Sequence, residues 1–246
     1  TTAGGSAMSM VFMHREGIPL GRGTSIMMTS LFLDELFNVL LCPLIFCLAP
    51  YGAVFGFDGA FSAGIRASFW AVMAGIVVVT AVIGWGTLIR PEGLRRVVVR
   101  LFSFRWLRRW KSRAVASADD MVATGHDLRH RHWRWWLEGM AATAVVWVSR
   151  FMVVNALFFG FVPSASQSVV FARQGVVWTL LTVSPTPGGS GVSEWLFTNY
   201  YGDLISDISV ALVIAVFWRL ITYYSLLAAG AVMLPAYLRN SFRKSG

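Results

Sequence analysis

Four apolar stretches constrain this chain before anything else does. They run from Thr24 to Ala49, Ser68 to Ile89, Gly139 to Phe161 and Ile205 to Leu234. Each is long enough to cross a bilayer, which takes about 20 residues of helix. Backbone surrounded by hydrocarbon must satisfy its own hydrogen bonds, so runs of this length predict helices. Composition agrees: the chain is 56% hydrophobic and 13% charged, where a soluble domain carries about a quarter charged residues. The expected fold class is an all-α polytopic membrane protein.

Charge distribution then orients the spans. Twelve of the 21 basic residues lie between Arg90 and Arg134, and Arg239, Arg243 and Lys244 follow the last span. Lys and Arg gather on the cytoplasmic side, so both segments are expected inside. The net charge of +9 is read as a topology signal with attraction to anionic headgroups. A nucleic-acid surface would need a folded basic domain, and no residues are left over for one. Leu94, Val97, Val98 and Leu101 beside Arg95, Arg96 and Arg100 predict a helix lying in the interface. Trp106, Trp110, Trp133, Trp135 and Trp136 supply an aromatic belt. His126, His130 and His132 are read as interfacial bases, since few other ligands are local, and Cys42 and Cys47 as packing thiols. No metal and no cofactor is expected.

One short phrase recurs within this apolar frame. Residues 185 to 194 read Pro-Thr-Pro-Gly-Gly-Ser-Gly-Val-Ser-Glu, and at a shift of 184 positions Thr2, Gly4, Gly5, Ser6 and Ser9 match Thr186, Gly188, Gly189, Ser190 and Ser193. Helix breakers at corresponding places in two halves point to a transporter's binding site. With 90–136 inside, the span after the first phrase rises outward and the span after the second descends inward. The halves therefore have opposite topology, and the expectation is an inverted-repeat helical bundle with re-entrant half-helices. The proposed organisation is a single transmembrane domain over 1–246. Its first-half repeat covers about 1–89, the cytoplasmic basic amphipathic segment about 90–136, and the second-half repeat about 137–246.

Ser168 to Val183 and Gly191 to Tyr200 each suit half a helix, meeting at Ser184, Pro185, Thr186, Pro187, Gly188 and Gly189. Prolines remove amide donors and glycines permit positive φ. Gly191 to Ser193 would then offer amides at a half-helix N-terminus, suited to an anionic headgroup. An ordinary extracellular loop with a Pro-Gly turn is the simpler alternative. Asp34 and Glu35 in the first span, Arg150 in the third and Arg219 in the last are ionisable groups at membrane depth, which usually face a polar cavity in partnership. The same 184-residue shift places Glu35 on Arg219, so an ion pair between them is expected, either structural or at the substrate site.

The phrase at 185–194 resembles the signature of the lysylphosphatidylglycerol synthase transmembrane (flippase-like) family. Arg150 before it and Arg219 after it are placed like that family's arginines. Ala3-Gly4-Gly5, then Gly17 to Arg22 and an acidic span, resemble its first half. Leu33-Asp34-Glu35 stands where an arginine is often found. Members usually carry further spans before the first Gly-Gly motif; the expectation here is a chain that begins within its domain, those spans missing.

The resemblance implies a multi-pass protein of the bacterial inner membrane that moves a phospholipid or lipid-linked headgroup between leaflets through a polar midplane cavity. Its expected partners are membrane lipids, anionic or aminoacylated phospholipid foremost. The substrate-binding set is Arg150, Arg219, Glu35, Asp34, Glu194, Thr186, Pro187, Gly188, Gly189, Ser190, Gly191, Gly4 and Gly5. No catalytic residue is assigned and no enzyme is expected, because neither an aminoacyl-transferase domain nor a phosphate-binding loop is read in the chain. The alternative is a non-transporting membrane subunit or scaffold for a lipid-modifying enzyme; a homo-oligomer or such an enzyme partner is left open on either reading.

Overall fold

The computed structural model describes residues 16–56, 59–86, 128–205 and 207–233, with Ser9, Met10, Phe12, Met13 and scattered positions between Glu92 and Gly125. Gly4 and Gly5, the side chain of Pro187, most of the basic segment and the basic C-terminus lie outside the described residues. The regular elements described are helices: α1 (Leu20–Leu48), α2 (Tyr51–Phe55), α3 (Ala60–Gly84), α4 (Trp133–Phe161), α5 (Gln167–Leu181), α6 (Val192–Tyr200) and α7 (Ile208–Arg219). Beyond Arg219 the chain makes a π-helical turn, Leu220–Tyr224, and stays helical to residue 233.

Four helical stretches are long and apolar enough to cross a membrane: Arg22–Leu48, Ala60–Gly84, Trp133–Phe161 and Ile208–Met233. The protein is therefore an all-α polytopic membrane protein. The second span begins at Ala60 rather than Ser68, and the third at Trp133 rather than Gly139. Polar residues hid both starts: Arg66 rests over the Tyr51 ring, 6.0 Å from its centroid, and Arg134 over Trp133 at 6.0 Å. Val78, Val82, Val145 and Phe159 are exposed along the spans, as expected of surfaces that face acyl chains. Between helices in lipid the hydrophobic effect supplies little, so close packing and polar contacts hold the bundle.

The chain forms two compact units. One comprises Thr1–Cys42 with Trp70–Val145, the other Pro43–Phe69 with Val146–Gly246. This division does not follow the sequence halves, because α1, α3 and α4 each run from one unit into the other. In the first unit small residues mark the closest approaches. A Cβ on Gly84 would lie 2.8 Å from Phe32 Cε2, and one on Gly139 would lie 3.1 Å from Leu33 Cδ1. The Phe32 ring also meets Trp136 edge-on at 6.4 Å.

The second unit is built around a buried charge. Arg173 on α5 is 1% exposed, and all five of its N–H groups find acceptors. Nε and Nη2 donate to the Ala53 carbonyl at 3.0 and 2.8 Å. Nη1 donates to the Tyr200 carbonyl at 2.7 Å and to Asp203 Oδ1, and Nη2 donates to Asp203 Oδ2 at 2.6 Å. The carbonyls at the end of α2 would otherwise be orphans. Ala53 is served by Arg173, Val54 by the Tyr200 hydroxyl and Phe55 by the Ser62 hydroxyl at 2.9 Å. Gly56, at φ 80°, ends α2 with no Cβ beside the guanidinium. Neighbouring Gln174 donates to the Tyr201 hydroxyl at 2.7 Å, and Asn155 on α4 donates to the Gln167 carbonyl at 2.8 Å.

Removing one partner of a buried pair strands the other, at a cost of about 3–5 kcal/mol. Arg173→Met is therefore expected to lower thermal stability in detergent by an amount of that size. Arg173→Met with Asp203→Leu should recover part of the loss. A melting temperature equal to wild type for the single variant would contradict the central role of Arg173.

Candidate functional site

The break between α5 and α6 is a tight polar turn. Thr182 N–H donates back to Trp178 O at 3.1 Å, and Ser184 N–H to Leu181 O at 3.1 Å, which closes α5. The Ser184 and Thr186 hydroxyls lie 3.1 Å apart, and Gly189 N–H donates to Thr186 O at 3.0 Å. A single 3₁₀ turn, Pro187–Gly189, follows. Gly188, Gly189 and Gly191 have φ of 64°, 72° and 81°, a region in which other residues are strained. Gly188 has a second reason to be glycine, since a Cβ there would overlap the ring of Tyr223.

Arg219 reaches this turn from the end of α7. It is 4% exposed. Its Nε donates to Glu194 Oε1 at 3.0 Å and its Nη2 to the Ser190 hydroxyl at 3.2 Å. The guanidinium also lies 4.3 Å from the centroid of Tyr223, within range of a cation–π contact. Glu194 turns its other oxygen to the start of α6, where Oε2 accepts from Gly191 N–H at 2.7 Å and from the Ser193 hydroxyl at 2.9 Å. The amide of Gly191, expected to be open to a headgroup, is thus taken by a carboxylate of the same helix.

Partial burial of Glu194 works against its ionisation. Hydrogen bonds from its own backbone, from Ser193 and from Gly191, with the Arg219 charge, outweigh that and hold the carboxyl below its ordinary range.

The expected partner of Arg219 was Glu35, whereas its ion pair is with Glu194. The reason is local: α6 and α7 are consecutive and in contact, the Phe197 ring stacking on Trp218 at 5.2 Å, so α6 presents Glu194 directly to α7. Asp34 and Glu35 lie half-buried on α1, in the first compact unit. Glu35 Oε2 is buried without a hydrogen-bond partner among the described residues. Arg150 on α4 lies over two indoles, 5.3 Å from the Trp147 centroid and 5.8 Å from that of Trp178. Among the described residues no carboxylate lies within ion-pair distance of it. Trp178 meets Trp218 edge-on at 6.2 Å, which links Arg150 through rings to the residue beside Arg219.

Thr186, Gly188, Gly189, Ser190, Gly191, Glu194 and Arg219 thus form one continuous site. Sequence reading missed Tyr223, Arg173 and Asp203, and named Ser193 for its amide and its place in the repeated phrase rather than for its hydroxyl. The signal for Arg173 was present, a lone charge within Val169 to Val177. Tyr223 and Asp203 carried none that distinguishes them.

The fold and this site define a multi-pass membrane protein with a charge-paired helix break beside a membrane-spanning arginine. The family model described as the lysylphosphatidylglycerol synthase TM region matches residues 2–230, and the chain belongs to that family. Comparison with curated proteins gave no match, and neither did comparison with solved structures.

Two outcomes are expected of this geometry. Gly188→Ala should destabilise the protein by about 1–3 kcal/mol, and Tyr223→Ala in the same chain should relieve the part due to overlap; thermal melts of the two variants measure both. The folded pKa of Glu194 is depressed, so its contribution to stability is complete above the ordinary value of 4.5 and is lost as pH falls through it toward the folded value. Melting temperature should therefore drop from about pH 6 to about pH 4, and Glu194→Gln should flatten that drop.

Proposed function

We propose that this protein translocates a phospholipid or lipid-linked headgroup between leaflets, and that the polar break between α5 and α6 is where the headgroup is held. The observation that carries this reading is the buried Arg219 guanidinium, bonded to Glu194 and Ser190 at the start of α6. A buried arginine within a spanning helix is costly and is usually found where a pathway or binding site needs it. Glu194 offers Arg219 and Gly191 N–H an anionic acceptor, which is the chemistry a headgroup phosphate would present. On this reading the phosphate exchanges with Glu194 on the guanidinium, and the released carboxylate then faces an ammonium group on an aminoacylated headgroup or carries a proton. Arg150, with no carboxylate partner among the described residues, supplies a second cation along the Trp178–Trp218 contact.

The wider frame belongs to the same proposal. α5 and α6, of 15 and 9 residues, are each too short to cross a bilayer. We take them as re-entrant half-helices of an inverted repeat, the partner phrase at Gly4 and Gly5 lying in the other half. The 90–136 segment and the C-terminus face the cytoplasm of a bacterial inner membrane. The acyl tails stay in lipid while the polar part crosses, with no enzymatic step and no cofactor.

The test is reconstitution of the protein in liposomes with fluorescent phospholipids and an impermeant quencher. Wild type should expose inner-leaflet label, and Arg219→Ala should slow that exposure at least about tenfold, a loss consistent with one charged contact (about 1.5–3 kcal/mol). Arg219→Lys, which keeps the charge and loses the fork, should retain part of the rate. Melting curves taken alongside separate this from unfolding. Access equal to that of empty liposomes for anionic, zwitterionic and aminoacylated lipids would favour a subunit that docks a lipid-modifying enzyme.

A further inference from the structure

The first compact unit holds a groove between α1 and α3 that the headgroup site does not use. Phe32 and Val39 form one wall, and Val77, Thr80, Ala81 and Trp85 the other, around a volume of about 480 Å³. Side-chain polar atoms come only from Thr80 and the indole of Trp85. Gly84 also lines it, and a Cβ there would meet the Phe32 ring at 2.8 Å. Both walls belong to spanning helices, so what surrounds the groove is acyl chain.

Thr80 makes this more than a crevice. It is 7% exposed, and its hydroxyl is buried without a hydrogen-bond partner among the described residues. Other helical hydroxyls avoid this by donating to the carbonyl four residues back: Thr29 to Ser25, Thr179 to Gly175, Thr198 to Glu194 and Thr222 to Trp218. A hydroxyl in hydrocarbon with no such bond is costly; Thr80 lines the groove, and a turn about its Cα–Cβ bond brings the hydroxyl to an acceptor there.

Depth identifies that acceptor. Trp85 is exposed at the end of α3, in keeping with a tryptophan at headgroup level. Thr80 precedes it by five residues, about 7–8 Å along a helix axis. The interfacial zone outside the hydrocarbon core is about 5–8 Å thick on each side, so Thr80 stands at the depth of the glycerol esters. Past Trp85 the sequence runs into the segment that holds twelve of the 21 basic residues, which favours an anionic headgroup at that membrane face.

We infer that the α1–α3 groove binds one acyl chain of an anionic diester glycerophospholipid, with the Thr80 hydroxyl donating to an ester carbonyl. This is a resident lipid on the first unit, and it rests neither on the transport reading nor on Arg219.

The experiment uses the full chain in nanodiscs with phosphatidylglycerol carrying a diazirine on one acyl chain, and maps the photolabelled peptides by mass spectrometry. Label should concentrate on residues 32–39 and 77–81. Ala81 and Val77 are exposed, so Ala81→Trp and Val77→Trp fill the groove from its open side; each should cut that labelling at least about tenfold, which for a steric block equals the loss of about 1.4 kcal/mol or more. Thr80→Val should lower retention of diester phosphatidylglycerol about fivefold, the worth of one hydrogen bond, and leave a diether analogue unchanged. Label spread evenly over Val145, Phe159 and other lipid-facing positions, insensitive to both tryptophans, overturns the site. Equal effects of Thr80→Val on diester and diether lipid overturn the ester contact, and equal labelling by phosphatidylcholine overturns the anionic assignment.

Discussion

A guanidinium sealed inside a helical unit must have every N–H group met, and the second unit of this protein is arranged so that Arg173 does. Its acceptors come from α2, from the end of α6 and from Asp203 beyond it. Two separate pieces of chain, α2 and the stretch 200–203, are thereby held at hydrogen-bond distance from one side chain on α5. The benefit is mutual. The α2 helix is only five residues long and ends in buried carbonyls that no further turn could satisfy, and Arg173, Tyr200 and Ser62 take them up. In lipid, where apolar burial between helices drives little association, such polar contacts set which helices touch.

The same arrangement positions the helix break. With α6 tied to α5 through Tyr200 and Tyr201, its first turn falls beside α7, and Glu194 meets Arg219 there. The two arginines differ in how they are bound. Arg173 uses all five donors on fixed groups, three of its bonds going to backbone carbonyls and two to the oxygens of one carboxylate. Arg219 is held by one oxygen of Glu194, one hydroxyl and the face of Tyr223. A ligand phosphate could replace the side chains that hold Arg219, whereas three of the five bonds of Arg173 go to backbone carbonyls of α2 and α6, which cannot turn away without moving the chain. That contrast is the physical reason why the proposed headgroup site is placed at Arg219 and not at Arg173.

Gly188 illustrates how the break depends on both levels. Its positive φ is a property of the turn, and any Pro-Gly-Gly sequence suggests it. The Tyr223 ring beside it comes from the π-helical turn after Arg219, on a different element. One glycine therefore serves a local backbone need and a contact with a residue 35 positions away.

Sequence alone determined that there are four spans, two short helices and a break between the latter, because each follows from hydrophobic length or from proline and glycine within a short window; the starts at Ala60 and Trp133 it did not. It also marked Arg219, a charge in an apolar run, and Glu194, the last residue of the Pro-Gly-Gly phrase, since both are visible without coordinates. It could not name their pairing. The shift that aligns Glu35 with Arg219 is a relation of sequence, while an ion pair requires helices in contact, and α6 is the helix that touches α7. Arg173 is visible as a lone charge, but its partners were hidden for the same reason: α2 looks like part of a loop until its carbonyls are seen to need donors. The division into units that cut across α1, α3 and α4 was likewise decided by tertiary structure, because a long helix reads as one element in sequence yet can pack each of its ends against different neighbours.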